Sequence, residues 1–398
     1  VYASIALAVA DGKYHLAIVA SYTEAGAVTG PGGTTNLCLE LCQDVKLNLA
    51  GTPAFSAFAK VSIQGPGAGT FGQAPATIVV AAGNSLLGTN VRLSLLNLNI
   101  SGAGTFSVTE NDSVIENCVF TDATLFQFNR VGQALLMTGN YFETPTELLF
   151  YTGLGLSPIA NIHNNTFVST VDFPSRSISQ DSLIFSSNVV LGSCTVLVPL
   201  VNSVIVNNVI NGLTTVMLSR CNITSNTAQS GAITVSGDMS SCTIANNIAS
   251  KITFVGACTS SVVSGNSLPS GIVTSGSVLN CVYTSNICGS GIVFGTLGSP
   301  TAVSDSTISF NSISTIGVVF NGTSTSINQN TVTGNSTDGA ITVTPDFKSS
   351  AGNNVVTGNR AAGGYAGWTT FLLQPGYPND ILDTGVAPIV AGVGLNRI

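Results

Sequence analysis

The sequence predicts a right-handed, single-stranded parallel β-helix, an all-β solenoid, and three observations predict it. An asparagine recurs about every 21 residues along most of the chain. The segments before it alternate apolar and polar residues, and charge is nearly absent. Of 398 residues, 44% are hydrophobic and only 7% are charged, against about a quarter charged in ordinary globular domains. Disordered chains combine high charge with few β-branched residues. This one is rich in Val, Ile, Thr and Asn and is expected to fold.

The repeat is clearest in the second half. SVIVNNVI, CNITSNTA, CTIANNIA, SVVSGNSL, CVYTSNIC, STISFNSI and TSINQNTV align on Asn208, Asn226, Asn247, Asn266, Asn286, Asn311 and Asn330. Looser copies centre on Asn117, Asn140, Asn165 and Asn188. Such spacing leaves no room in a coil for a helix of ten or more residues, so each coil is strand and turn. A second strand follows each corner, at Ala232 to Val235, Ile252 to Val255, Ile272 to Val273, Ile292 to Phe294, Val318 to Phe320 and Ile341 to Val343. Asparagine tolerates the left-handed conformation of a tight corner, and stacked carboxamides can bond from coil to coil. The seven anchors from Asn208 to Asn330 are therefore expected to form one column, with the apolar residue three before each pointing inward. Three regions follow: 1–50, an N-terminal cap and first strands; 51–360, the β-helix; 361–398, a non-repeating segment containing Trp368, Phe371 and Tyr377, expected to cap the last coil or dock a neighbour.

The opening segment carries a family resemblance. An apolar, helix-like stretch from Ser4 to Ala10 leads into His15 to Ala20 and then Ser21-Tyr22-Thr23-Glu24. Alternating Leu39, Leu41, Val45, Leu47 and Leu49 follow between Cys38 and Leu49. Together with the repeat, this resembles the pectate-lyase-like right-handed β-helix superfamily. Its apolar, weakly charged character also resembles β-helix proteins on the particles of large DNA viruses and on phage tails. In the superfamily, lyases use a carboxylate cluster for calcium with an Arg or Lys base, and hydrolases use neighbouring Asp residues. This chain has no Asp-Asp pair, and from Asp181 to Asp338 its only charges are those two with Arg220, Asp238, Lys251 and Asp305.

The best catalytic candidates lie earlier. Glu147 and Asp172 both fall seven places after their anchors, Asn140 and Asn165, which would seat them on neighbouring coils about 5 Å apart with Glu143 and Arg176 nearby. The alternative is that unequal loops carry them apart as solvated charges. Glu110, Asp112 and Glu116 are expected to form a solvated strand edge. His15 and His163 are expected to be structural, with His163 pointing outward.

Nine cysteines include Cys38 and Cys42, about 13 Å apart if on one extended strand, too far to bridge or share zinc. Cys221, Cys242 and Cys281 share a repeat position with Ser203, Ser261, Ser306 and Thr325 and are expected to be reduced thiols packed inward. The odd count favours folding in a reducing compartment. Six Asn-x-Ser/Thr sequons, at Asn99, Asn111, Asn164, Asn222, Asn321 and Asn335, are expected by chance in so Asn- and Thr-rich a chain.

Net charge is -7 with scattered Lys and Arg, which argues against nucleic-acid binding, and no apolar run is long enough to span a membrane. No metal or cofactor is expected. The sequence thus points to a non-enzymatic structural protein of a virus particle surface, capsid-associated or fibre-like. Its expected partners are other virion or surface chains, including copies of itself, and a glycan is possible. The alternatives are a polysaccharide depolymerase and a glycan-binding adhesin.

Overall fold

The computed structural model describes residues 2–66, 75–81, 84, 86–87, 91–102, 113–121, 126–131, 134–151, 159–174, 180–295, 302–322, 327–345, 351–352, 354–362, 365–366 and 380–382. It is a parallel β-solenoid of about 12 turns of roughly 23 residues with almost no helix. Longer coils near the ends stretch the period beyond the 21 residues read from the repeat. The chain divides into two compact units, 1–198 with 208–210, and 199–207 with 211–398.

In the first unit, Ile5–Ala10 is a single helical segment. Its start is fixed by Ser4, whose hydroxyl accepts the Leu7 N–H at 3.2 Å, and it turns Ile5, Ala8 and Val9 inward. The buried Glu24 carboxylate accepts the Ile5 N–H at 2.8 Å, giving another unpaired helical donor a partner. One ladder then runs through His15–Ile18, Asn36–Leu41, Lys60–Gln64, Arg92–Leu96, Ser113–Glu116, Ala134–Thr138, Ile159–His163 and Leu183–Ser186, every step parallel. Parallel pairing of successive coils puts like positions over like. Phe120, Phe142 and Phe167 accordingly stack face to face at 4.5 and 4.7 Å. Leu39, Leu41, Val45, Leu47 and Leu49 are all buried, as alternation requires.

In the second unit, beside a short ladder running from Ser267–Leu268 through Ser312–Ile313 to Arg360–Ala361, three ladders share the work. The first joins Val204–Val206, Asn222–Thr224, Thr243–Ala245, Val262–Ser264, Val282–Thr284, Thr307–Ser309, Thr331–Thr333 and Val355–Thr357. The second joins Ile233–Val235, Ile252–Phe254, Ile272–Thr274, Gly291–Phe294, Gly317–Gly322 and Ala340–Pro345, the segments the sequence marks as second strands. The third runs from Leu200–Val201 through Cys258–Thr259 to Ala351–Gly352.

The corners correct the sequence expectation in two ways. First, the stacked asparagine is not the left-handed residue; the residue before it is. Ser225 (φ 57°), Asn246 (57°), Gly265 (64°), Ser285 (57°) and Phe310 (54°) take the positive φ, and Asn226, Asn247, Asn266, Asn286 and Asn311 follow, buried. A second positive-φ corner lies five residues upstream, at Arg220, Ser241, Ser260, Asn280 and Asp305, and Cys221, Cys242, Ser261, Cys281 and Ser306 follow it inward. The three-residue strands from Val204–Val206 to Thr331–Thr333 are thus each clamped between two left-handed corners. Asn117 is likewise a corner residue (φ 52°), and Cys118 takes the inward place.

Second, Asn330 does not stand in the column of the other anchors of its unit. In the second unit the column runs Asn226, Asn247, Asn266, Asn286, Asn311, Asn335, Asn359. Asn330 stands at the other corner, where its Oδ1 accepts the Ser306 N–H at 3.1 Å and its Nδ2 bonds to Asn354 Oδ1 at 3.0 Å. It therefore occupies the position anticipated for Thr325. Asparagine replaces Ser or Cys at that corner from this coil onward, which shifts an asparagine-based alignment by five residues. In the first unit Asn140, Asn165, Asn188 and Asn208 bond to one another in the same way.

The bonding explains why asparagine is required. Asn247 Oδ1 accepts both the main-chain N–H and the side-chain N–H of Asn226, at 2.9 and 3.0 Å. Its own Nδ2 donates to the Ile223 carbonyl and to Asn266 Oδ1, at 2.9 and 3.0 Å. Removing one carboxamide orphans a buried N–H and a buried C=O, each costing about 1–3 kcal/mol. Asn266→Ala should therefore lose about 2–5 kcal/mol in urea unfolding, whereas Asn246→Gly, at the left-handed corner, should change stability by less than about 1 kcal/mol. Equal effects from the two changes would contradict this assignment.

Candidate functional site

Residues that could do chemistry are held on the outward positions of the strands, because the inward positions are apolar or amide-bonded. In the first unit, Thr146–Tyr151 pairs with Val171–Phe173 in parallel, with Glu147 directly opposite Asp172. The sequence offset thus brings the two carboxylates to one register position on adjacent coils, which puts their backbones about 4.8 Å apart. Gln127 precedes them in register and Thr195 follows. Inward neighbours Thr146, Leu148, Val171 and Phe173 are buried, while Glu147 and Asp172 are half-buried. Glu143 is exposed at the preceding corner, with its N–H bonded to the Phe120 carbonyl. Arg176 lies outside the described residues, as do Glu110 and Asp112.

Two charged side chains of the second unit bond to neighbouring coils. Arg220 and Asp305 are left-handed corner residues, Arg220 Nε donates to Asn202 Oδ1 at 2.7 Å, and Asp238 accepts the Ala257 N–H at 2.8 Å. His163 faces outward, half-buried, with Nδ1 within 3.2 Å of the Thr138 hydroxyl and 3.1 Å of Asn164 Nδ2. His15 is exposed, and its Nε2 lies 2.9 Å from Glu40 Oε1, a cross-strand contact that no spacing along the chain announces. Beside it opens a groove of about 440 Å³ lined by Tyr2, Ile5, Ala8, Ile18 and Tyr22. Burial, and then the Glu24 carboxylate, push the Tyr22 hydroxyl's pKa well up.

All nine cysteines are free thiols. Cys221, Cys242 and Cys281 are buried at the corner position described above, and Cys258 Sγ lies 3.3 Å from Cys281 Sγ. Burial pushes the thiols of Cys118, Cys194 and Cys288 up to about 12. Among the sequons, Asn335 is buried within the amide column, which removes it as a glycosylation acceptor, whereas Asn164 and Asn222 are exposed.

No family model, no curated protein and no solved structure matches the chain. Among the described residues, no helix is long and apolar enough to cross a membrane.

The thiol placement gives two expected outcomes. Alkylation of the native protein should label Cys42 and, more slowly, the half-buried Cys38, with the other seven labelled only after denaturation. The raised thiols fix a sign for pH dependence: the folded state holds its protons to about pH 12, the unfolded state only to about pH 9. The stability they protect is complete below pH 9 and should fall above it, by about 1.4 kcal/mol per pH unit for each such thiol. An unfolding midpoint flat from pH 8 to pH 11 would contradict it.

Proposed function

We propose that this chain is a non-enzymatic structural solenoid of a particle surface, of the kind carried by virus particles, and a distant member of the pectate-lyase-like β-helix superfamily. The observation that carries the proposal is the direction of the polar chemistry. Long columns of asparagine are buried and bonded coil to coil, and Arg220 and Asp238 of the second unit bond to neighbouring coils. A coat of Ser, Thr and Asn with little charge suits lasting contact with other chains and gives little repulsion between copies. Ile248, Ile287 and Phe310 add exposed apolar surface near one corner of the second unit. The resemblance of the opening segment to the superfamily and the solenoid architecture support the family placement.

One observation favours a second reading. The Glu147 and Asp172 register puts two carboxylate-bearing residues side by side on adjacent strands, and retaining glycosidases use a carboxylate pair roughly 5–5.5 Å apart, which would suit a polysaccharide depolymerase.

Two measurements divide these readings. Fractionation of particles from the source on a density gradient should find the chain in the particle band; its recovery only in the soluble fraction would count against the structural role. Purified protein, with and without calcium, should release neither reducing ends nor unsaturated products from uronate and host-surface polysaccharides. Turnover lost in Glu147→Gln or Asp172→Asn would replace the structural reading with the depolymerase.

A further inference from the structure

We propose that His15, Cys38 and Glu40 form a binding site for a borderline divalent cation of the zinc class, on the outer face of the first coils. The three side chains come from two adjacent parallel strands, His15–Ile18 and Asn36–Leu41, with His15 and Cys38 directly in register. Strand alternation sends Leu37, Leu39 and Leu41 into the core and leaves Cys38 and Glu40 on the outer face beside His15. His15 Nε2 is 2.9 Å from Glu40 Oε1, and one ligand atom from each of the three residues lies within 4.8 Å of the others.

A tetrahedral zinc ion holds nitrogen and oxygen at about 2.0–2.2 Å and sulfur at about 2.3 Å, which sets its ligand atoms roughly 3.3–3.7 Å apart. The observed spacings bracket that range. Opening the His–Glu contact slightly and turning the Cys38 thiol inward reaches it by side-chain rotation alone, and His15 and Glu40 are exposed enough to rotate.

The donor set selects the class of cation. Imidazole and thiolate favour zinc or cobalt over calcium and magnesium, which prefer all-oxygen shells. Three protein ligands leave a fourth position for water, the arrangement of reactive rather than purely structural zinc. Lys60, on the next coil, lies close enough to act on Cys38. A thiolate and a carboxylate neutralise a divalent ion, so Lys60 would face a neutral complex rather than a bare dication. Cys42 is exposed and falls beyond the end of the same strand, outside the cluster. It is therefore an internal control.

The test uses the full chain. Cobalt(II) titration should give one saturable equivalent with a thiolate-to-cobalt charge-transfer band, displaced by zinc. Zinc should protect Cys38 from alkylation while Cys42 reacts unchanged, a footprint that needs no variant. His15→Gln, Cys38→Ser and Glu40→Gln should each weaken zinc binding by at least about tenfold, and Cys42→Ser should leave it unaltered. The proposal is overturned by the absence of 1:1 saturable binding, by binding that survives Cys38→Ser, or by zinc protection of Cys42 in place of Cys38.

Discussion

The structure depends on one interaction: a buried carboxamide that bonds to the coils on both sides of it. A parallel solenoid must turn its chain sharply at every coil, and each turn leaves backbone groups in the interior without a strand partner. Here the residue after a left-handed corner points inward, and when it is asparagine its amide closes that deficit. In the second unit Asn266 accepts two N–H groups of Asn247 and donates to the Ile244 carbonyl and to Asn286. The same pattern holds in the first unit from Asn140 to Asn208. Coil length is then free to vary: ladder partners lie 19 residues apart in one step and 25 in another. The column keeps register across both steps.

The opposite corner solves the same problem with smaller groups. The Cys242 N–H is met by the Ser261 hydroxyl at 3.0 Å, and the Cys281 N–H by Ser306 at 3.1 Å. Serine there returns its own proton to the carbonyl two residues back, as Ser261 does to Thr259 at 2.7 Å. Cysteine substitutes because its volume is similar and its thiol bonds weakly in the same directions. Further along, Asn330 and Asn354 bring the carboxamide solution to this corner too. The cysteines at this corner therefore follow from its geometry.

Much of this was legible in the sequence because a solenoid repeats its local rules. Alternation fixed the strands, and the equal offsets of Glu147 and Asp172 from Asn140 and Asn165 anticipated their register. What misled was identity without conformation. Asn117 and Asn330 are asparagines near corners, yet one is the left-handed residue itself and the other sits at the opposite corner. Side-chain type alone does not distinguish these places, since Ile327 three before Asn330 and Val332 three before Asn335 are both buried. The His15, Cys38 and Glu40 cluster was out of reach for a different reason. Its members are set side by side by the pairing of strands from successive coils, a register that no spacing along the chain announces.

The central claim, that buried carboxamides tie successive coils together, is tested most directly by hydrogen exchange at the side-chain amides themselves. The carboxamide protons of Asn247, Asn266 and Asn286 should exchange only through large-scale unfolding, orders of magnitude more slowly than those of exposed Asn207 and Asn222. Exchange of the column amides at the rate of the exposed ones would show that the columns are not bonded, and the account of the fold would fail with them.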